Sequence, residues 1–394
     1  MESIWSVIGL LLCLVTLPGT IELVLLTLGG ALPRHLRTSQ PESGHPLDIC
    51  IVVPSHDEEK GIGQCVTSLL ACDTGGQAVS VVVIADNCTD STAEKARLAG
   101  ARVLVRNDDL RRGKGYALDH AFSILLTENH DAFLIVDADT GVEGNFIHAT
   151  VELFKDGADA LQCRYLASNP GESIRSRLMH VAWLAFNVLR LRGRDYWGLS
   201  VGILGNGFGL TRKTLEKVPF DAGSIAEDLE YHLRLVRAGL RVRFCESTTV
   251  WSDVPAQGKM AAGQRARWEG GRFRMIREQS PGLIVEVLKG NLRLLEPLLE
   301  LLLLPLAFHV FFLLLLLAVP TAFAWYSALA SLAAVGLHVA VALYVGQAGW
   351  RDMIALFAAP FYIVWKLTLG RQLLKSASTE AAWVRTERTG NHDN

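Results

Sequence analysis

The sequence predicts an α/β domain on a mostly parallel, Rossmann-like sheet, facing the cytosol and flanked by transmembrane α-helices. Three observations carry that expectation. Short apolar, β-branched runs alternate with helical patterns between residues 48 and 136, as in a sheet covered on both faces. Apolar stretches long enough to span a bilayer stand on both sides of that region. Half of the 394 residues are hydrophobic and the mean hydropathy is positive, which is unusual for a soluble enzyme.

The first apolar run, residues 4–30, is too long for a signal-peptide core and is followed by no clear cleavage site, so residues 1–33 are expected to be a retained transmembrane helix. Pro18, Gly19 and Glu22 interrupt it, predicting a kink or a protein-facing polar spot. Arg34, His35 and Arg37 follow, and the positive-inside bias places that end in the cytoplasm. Residues 34–47 read as a linker, turning to Ser, Pro, Gly and Glu. The α/β domain is expected over 48–280. Strands are predicted at 48–53, 79–85, 102–106 and 132–136, with helices at 61–71, 91–99 and 115–127 between them. Ligands of such sheets bind past the carboxyl ends of the strands, so the polar residues there are the candidates.

Residues 281–293 mix apolar side chains with Glu286, Lys289 and Arg293, as an interfacial amphipathic helix does. A C-terminal transmembrane region is expected over 294–370. Within it 294–319 and 321–345 are each long enough to cross, whereas 353–369 is marginal and carries Pro360 and Lys366. Three full crossings would leave the basic tail, 371–394, outside. Either 353–369 lies in the interface or re-enters, or the positive-inside bias fails here; the first alternative is preferred.

Composition also excludes classes of function. A formal net charge of -2 creates no field that recruits nucleic acid. The seven cysteines are scattered and form no C-x-x-C pair, which argues against zinc and dithiol chemistry and for reduced packing residues. The histidines are unclustered, without a Ser/His/Asp order. The glycine-rich stretch 202–209 lacks the P-loop form and reads as backbone approaching a ligand.

Six constellations, most of them at strand ends or helix starts, could carry chemistry. Asp137-Ala138-Asp139 directly follows the fourth strand, and two hard oxygen donors on a turn suit Mg²⁺ or Mn²⁺. The bland alternative is a solvated acidic turn. Asp86-Asn87 closes the second strand, where Asp86 can accept from a nucleobase, while Asp90 and Ser91 read as helix caps. Pro54 and Glu58 belong to the polar loop after the first strand, and Arg111, Arg112 and Lys114 set cations beside flexible glycines after the third. Glu227-Asp228 opens an amphipathic helix whose dipole is expected to keep Asp228 ionised, as a base requires. Gln264-Arg265-Ala266-Arg267-Trp268 offers a cation for a diphosphate and an indole face for a sugar, although such a segment can also anchor at an interface.

Together these resemble, in order, the D, DxD, ED and Q-x-x-R-W signature of family-two glycosyltransferases, and are closest in kind to the membrane synthases of cellulose, hyaluronan, chitin oligosaccharide and poly-N-acetylglucosamine. The resemblance covers about residues 48–274. It implies a GT-A fold, inverting transfer and a UDP-sugar donor. It implies that Asp86 contacts uracil, that Asp137 and Asp139 serve the diphosphate and metal, that Asp228 is the general base, that Gln264 and Arg267 hold the donor diphosphate, and that Trp268 is an acceptor platform. Lys114, in Arg-Gly-Lys-Gly-Tyr-Ala-Leu, matches a stretch common in the family; Pro54 and Glu58 go with the donor and Glu227 with the acceptor. Asp57 departs from the pattern, since relatives usually carry Asn before Glu58. The implied partners are a glycan or lipid acceptor, the membrane of a bacterial-type cell and an accessory secretion subunit, with no nucleic acid. The expected activity is transfer of a sugar to a growing β-linked glycan at the membrane; the rivals are addition of a single sugar to a lipid, and a non-catalytic subunit that binds nucleotide-sugar.

Overall fold

The computed structural model describes residues 2–32, 45–221, 226–254 and 258–368, without the side chains of residues 2, 258–269 and 366–368. Most of the expected linker and all of the basic tail fall outside the described residues. Eight strands form one sheet: β1 (Asp48–Ser55), β2 (Ala78–Asp86), β3 (Arg102–Arg106), β4 (Ala132–Ile135), β5 (Gly141–Val142), β6 (Ala160–Ala167), β7 (Phe208–Thr211) and β8 (Val242–Ser252), in the order β3-β2-β1-β4-β7-β6-β8-β5.

The continuous apolar runs have the physical cause expected of them. In β1, Cys50 and Val52 enter the core beneath the helix Lys114–Leu125, while Ile49, Ile51 and Val53 enter the opposite core beneath Ile62–Leu70 and Phe146–Lys155. With both faces covered, alternation in hydropathy vanishes. β1 pairs in parallel with β2 and β4, and β2 with β3. The second half of the sheet is mixed: β7 runs antiparallel to β4 and β6, and β5 antiparallel to β8, while β6 and β8 are parallel. One sheet edge therefore collects the carboxyl ends of six strands together with the loop that enters β7.

The helices Ser3–Ala31 and Ala322–Val345 are long and apolar enough to cross a membrane. In the first, the interruption proves to be a polar spot. Glu22 pairs with Arg190 at 2.8 Å and Arg194 at 3.4 Å, and Thr27 meets His338 at 2.7 Å across the helix contact.

Two expectations are corrected. The run 294–319 is not one straight span but two helices, Leu292–Leu302 and Leu306–Leu317, bent by 72°. Pro305 lacks an N–H and disfavours helix before it, while Glu296 and Glu300 of the first helix pair with buried Arg194. Nor is 281–293 a separate helix, because Gly258–Leu288 continues through Pro281. Burial of Met275 and Leu283 against Leu233, Val236, Leu294 and Leu298 outweighs the one lost hydrogen bond. The marginal run is two short helices, Trp350–Ala355 and Ala359–Thr368, joined by a single 3₁₀ turn. They lie against the helix Ile174–Trp183 through Arg177–Asp352 at 3.0 Å and Arg175 stacked 4.1 Å from the Trp365 ring.

Candidate active site

The loops at the collecting edge are built mainly by short polar clasps. Asp57 sits at φ +52° and accepts the backbone N–H groups of Thr89 at 2.7 Å and Asp90 at 3.3 Å. Its carboxylate thus ties the loop after β1 to the loop after β2, which gives the departure from Asn a structural role. Glu58 donates its N–H to Thr92 Oγ1 at 2.7 Å, while Pro54 remains inside β1 opposite Ile84. Asp90 accepts the Thr92 N–H at 2.9 Å, as a residue at a helix start does. Ser91, expected to share that role, makes no side-chain cap bond.

Asp86 and Arg106, at the ends of β2 and β3, are each 6% exposed and pair at 2.6 Å. The same carboxylate oxygen accepts from Asn87 at 3.1 Å, so Oδ1 is committed within the fold.

The centre of the site forms where three distant segments meet the loop before β7. Lys114, the first residue of its helix, places its ammonium against Asp137 Oδ1 and the Gly205 carbonyl. Gly205 stands at φ +81°, and a Cβ there would lie 3.3 Å from Asp228 Oδ2, so the site needs glycine for both conformation and space. Asn206, buried at 1% exposure, accepts the Asp137 N–H at 3.1 Å and donates to Thr140 Oγ1 at 2.8 Å and Ser252 Oγ at 3.1 Å. Gln162, fully buried on β6, shapes the same loop: it accepts the Leu204 N–H at 2.8 Å and donates to the Asn206 carbonyl at 2.8 Å. Sequence reasoning singled out 202–209 for its glycines and missed Asn206, the polar residue inside that stretch. Gln162 and Tyr165 carried no local signal.

Electrostatics shows the same convergence. Burial opposes the charge on Lys114, but Asp137, Glu227 and Asp228 around it prevail and its pKa stands above the usual lysine value. Burial, then the charge of Asp228, pushes Glu227 up to about 8. Asp228 is also raised, chiefly by burial, with the N–H of Leu229 at 2.8 Å and Lys114 offsetting part of it. The helix dipole, expected to favour the Asp228 anion, does not set the direction of its shift. Desolvation beside other carboxylates outweighs the N-terminal amides. Burial and the charges of Asp139 and Asp137 likewise push the Tyr165 phenol well up, placing Tyr165 beside both.

Asp137, Glu227 and Asp228 thus share half-buried surroundings with Lys114, and Asp139 stands two residues from Asp137. That excess of hard anionic oxygen, strong enough to perturb its neighbours, fits a divalent cation held by Asp137 and Asp139. Asp57, Cys88 and Asp90 also bring ligand atoms within 4.8 Å of one another. There Asp57 already binds backbone amides, and burial raises the Cys88 thiol, so that cluster reads as a loop clasp.

Gln264, Arg267 and Trp268 lie on the helix Gly258–Leu288, their side chains outside the described ones. The helix passes beside the acidic pair: a Cβ at Gly271 would lie 3.5 Å from that of Ala226. Residues 264–268 are about 5–10 Å further along the same axis.

Comparison with known proteins agrees with this architecture. Residues 45–271 match the family model described as glycosyltransferase like family 2. The chain is 25% identical over 232 residues to the probable glycosyltransferase YdaM of Bacillus subtilis, covering 57% of this chain and 54% of that protein. It is also 25% identical over 261 residues to the beta-monoglucosyldiacylglycerol synthase of Synechocystis sp., covering 61% and 54%. The chain therefore spans about half the length of these curated relatives. Among solved structures it resembles a mannosyltransferase from Pyrobaculum calidifontis in complex with GDP-Man and Mn²⁺. The two are 17% identical, with a TM-score of 0.54 over 95% of this chain and 97% of the other, a likeness of fold.

Proposed function

The chain belongs to the glycosyltransferase-like family 2, and from that premise we propose that it is a metal-dependent, inverting hexosyltransferase using a UDP-sugar at a membrane face. The carrying observation is the meeting of Lys114, Asp137 and Asp228 on the backbone of Gly205. Asp228, its basicity raised by burial, takes the proton of the acceptor hydroxyl. The hydroxyl oxygen then bonds to the anomeric carbon as the bond to the diphosphate breaks, and attack from the opposite face inverts the configuration. Lys114 and, by the family resemblance, Gln264 and Arg267 receive the diphosphate charge, while Asp86, Pro54 and Glu58 border the nucleoside end. Mg²⁺ or Mn²⁺ on Asp137 and Asp139 supplies, when bound, further neutralisation of the leaving group; the mannosyltransferase of similar fold was solved with Mn²⁺. Glu227 and Trp268 border the acceptor.

For the acceptor, a single membrane lipid is the preferred reading. It rests on the relative named as a diacylglycerol glycoside synthase; among the described residues there are two helices able to cross, or three if the bent pair is one span. The second reading, extension of a β-linked glycan, is favoured by the Q-x-x-R-W resemblance. The catalytic domain faces the cytosol in either case, by the charges Arg34, His35 and Arg37.

Purified full-length protein in detergent, given a panel of nucleotide-sugars with Mg²⁺ or Mn²⁺, tests the proposal through release of nucleoside diphosphate. One added sugar on lipid supports the first acceptor and a ladder of lengths the second. Undiminished turnover in Asp228→Asn would remove Asp228 as the base, and binding without diphosphate release from any donor would return the chain to a binding role.

A further inference from the structure

The break between Leu292–Leu302 and Leu306–Leu317 creates a feature that the catalytic reading does not use. A helix that stops leaves its last carbonyls without partners. Here Arg272 supplies them: its guanidinium donates to the carbonyls of Glu300 at 2.5 Å, Leu301 at 3.4 Å and Leu303. The same short helix is held from its other side. Arg194, 1% exposed, binds Glu296 and, at 3.0 Å, Glu300, and also reaches Glu22 of the N-terminal helix at 3.4 Å. The segment 292–302 is thus clamped between two arginines and shares an apolar core with Leu233 and Val236 of the helix Glu227–Arg237 and with Met275 and Leu283 of Gly258–Leu288.

Arg272 lies four residues after Trp268, one turn along the same helix face. We propose that Arg272 is a positioning residue: by capping the clamped segment 292–302 it fixes the axial register of the helix carrying Gln264, Arg267 and Trp268 against the helix that begins with Glu227 and Asp228. Apolar packing alone resists separation of two helices but resists sliding weakly. A planar guanidinium shared among several carbonyls fixes the axial position, because moving it by one residue rise of about 1.5 Å would break its bonds. A Cβ at Gly271, next in the chain, would stand at ordinary contact distance from that of Ala226, a spacing that such a slide would disturb. The inference rests on the transferase reading for its effect on the donor, but its geometric part can be tested without turnover.

In the full-length protein, Ala226→Cys with Gly271→Cys places two Cβ atoms about as far apart as a disulfide requires. Oxidation should link them readily in the otherwise native chain, and at least about tenfold more slowly once Arg272→Ala is added. In the single Arg272→Ala variant, the dissociation constant for UDP with Mn²⁺ and the KM for the donor should both rise about tenfold. Arg272→Lys, which keeps the charge but not the planar fork, should recover part of that loss. Forming the disulfide in the Arg272→Ala background should restore donor affinity. A merely structural role would instead lower kcat in proportion to lost folded protein, leaving KM and linking rate per folded molecule unchanged. That result, in Arg272→Ala or in the milder Arg272→Lys if the alanine variant does not fold, would overturn the proposal. A wild-type chain that neither binds nor turns over any nucleotide-sugar would sink the transferase reading and the donor effect with it, whereas unchanged linking in an active enzyme sinks the register claim alone.

Discussion

Asn206 is the sharpest single test of how the site is held. Its replacement by Ala removes the partner of the Asp137 N–H at 3.1 Å, and of the Thr140 and Ser252 hydroxyls at 2.8 and 3.1 Å. The two hydroxyls keep each other at 3.0 Å, so their loss is limited to about 1 kcal/mol in total. The amide of Asp137 has no such recourse, and leaving a backbone donor unpaired costs about 1–3 kcal/mol. The sum is about 2–4 kcal/mol, and for a domain of this size each kcal/mol lowers Tm by roughly 2–4 °C. Function should suffer beyond stability, because that amide sets where the Asp137 carboxylate stands relative to Lys114 and Asp139. A displacement of about 1 Å there is expected to lower kcat/KM by about a hundredfold. Thermal unfolding in detergent and donor turnover measured on the same preparations check both parts. Asn206→Asp serves as the control, since it keeps an acceptor for the amide but adds another carboxylate, and it should be at least as inactive. An Asn206→Ala protein that melts within 1 °C of the parent (a shift too small for about 1 kcal/mol) and keeps its turnover would refute the reasoning.

Other outcomes follow from the same geometry. Asp228→Asn should lower turnover by about 10²–10⁴-fold while leaving donor affinity within about threefold, read by comparing diphosphate release with direct binding. In chelator, stability should fall as pH rises from near the usual glutamate value of 4.5 toward about 8, because folded Glu227 retains a proton that the unfolded chain releases. Glu227→Gln should flatten that slope in denaturant titrations run across the range, and an unchanged slope would count against the buried acidic cluster. Arg106→Ala should cost about 3–5 kcal/mol by leaving buried Asp86 unpaired, whereas Arg106→Met with Asp86→Asn should cost far less, a difference that urea unfolding resolves.

Much of this molecule could be read from local chemistry. The runs 48–53, 79–85, 102–106 and 132–136 correspond to β1–β4 to within a few residues: β1, β2 and β4 are apolar on both faces, and β3 is a short Val-Leu-Val run between two arginines at the sheet edge. Asp86, Lys114, Asp137 and Asp228 stand out in the sequence because each lies at a strand end or helix start, on the edge where ligands of such sheets gather. What escaped was polar structure that acts inward. Gln162, Asn206 and Tyr165 look ordinary in sequence, and their importance comes from being buried next to segments more than a hundred residues apart in some pairs, such as Thr140 and Ser252.

The residue sequence by itself determined which elements form and which termini carry charge, since periodicity, turn chemistry and apolar length act over a few neighbouring residues. Tertiary structure alone decided the rest: the reversed direction of β7, the elevation of Asp228 and the role of Asp57. Each depends on what lies across a gap in space, where desolvation and the pairing of buried polar groups are worth several kcal/mol and override local preference.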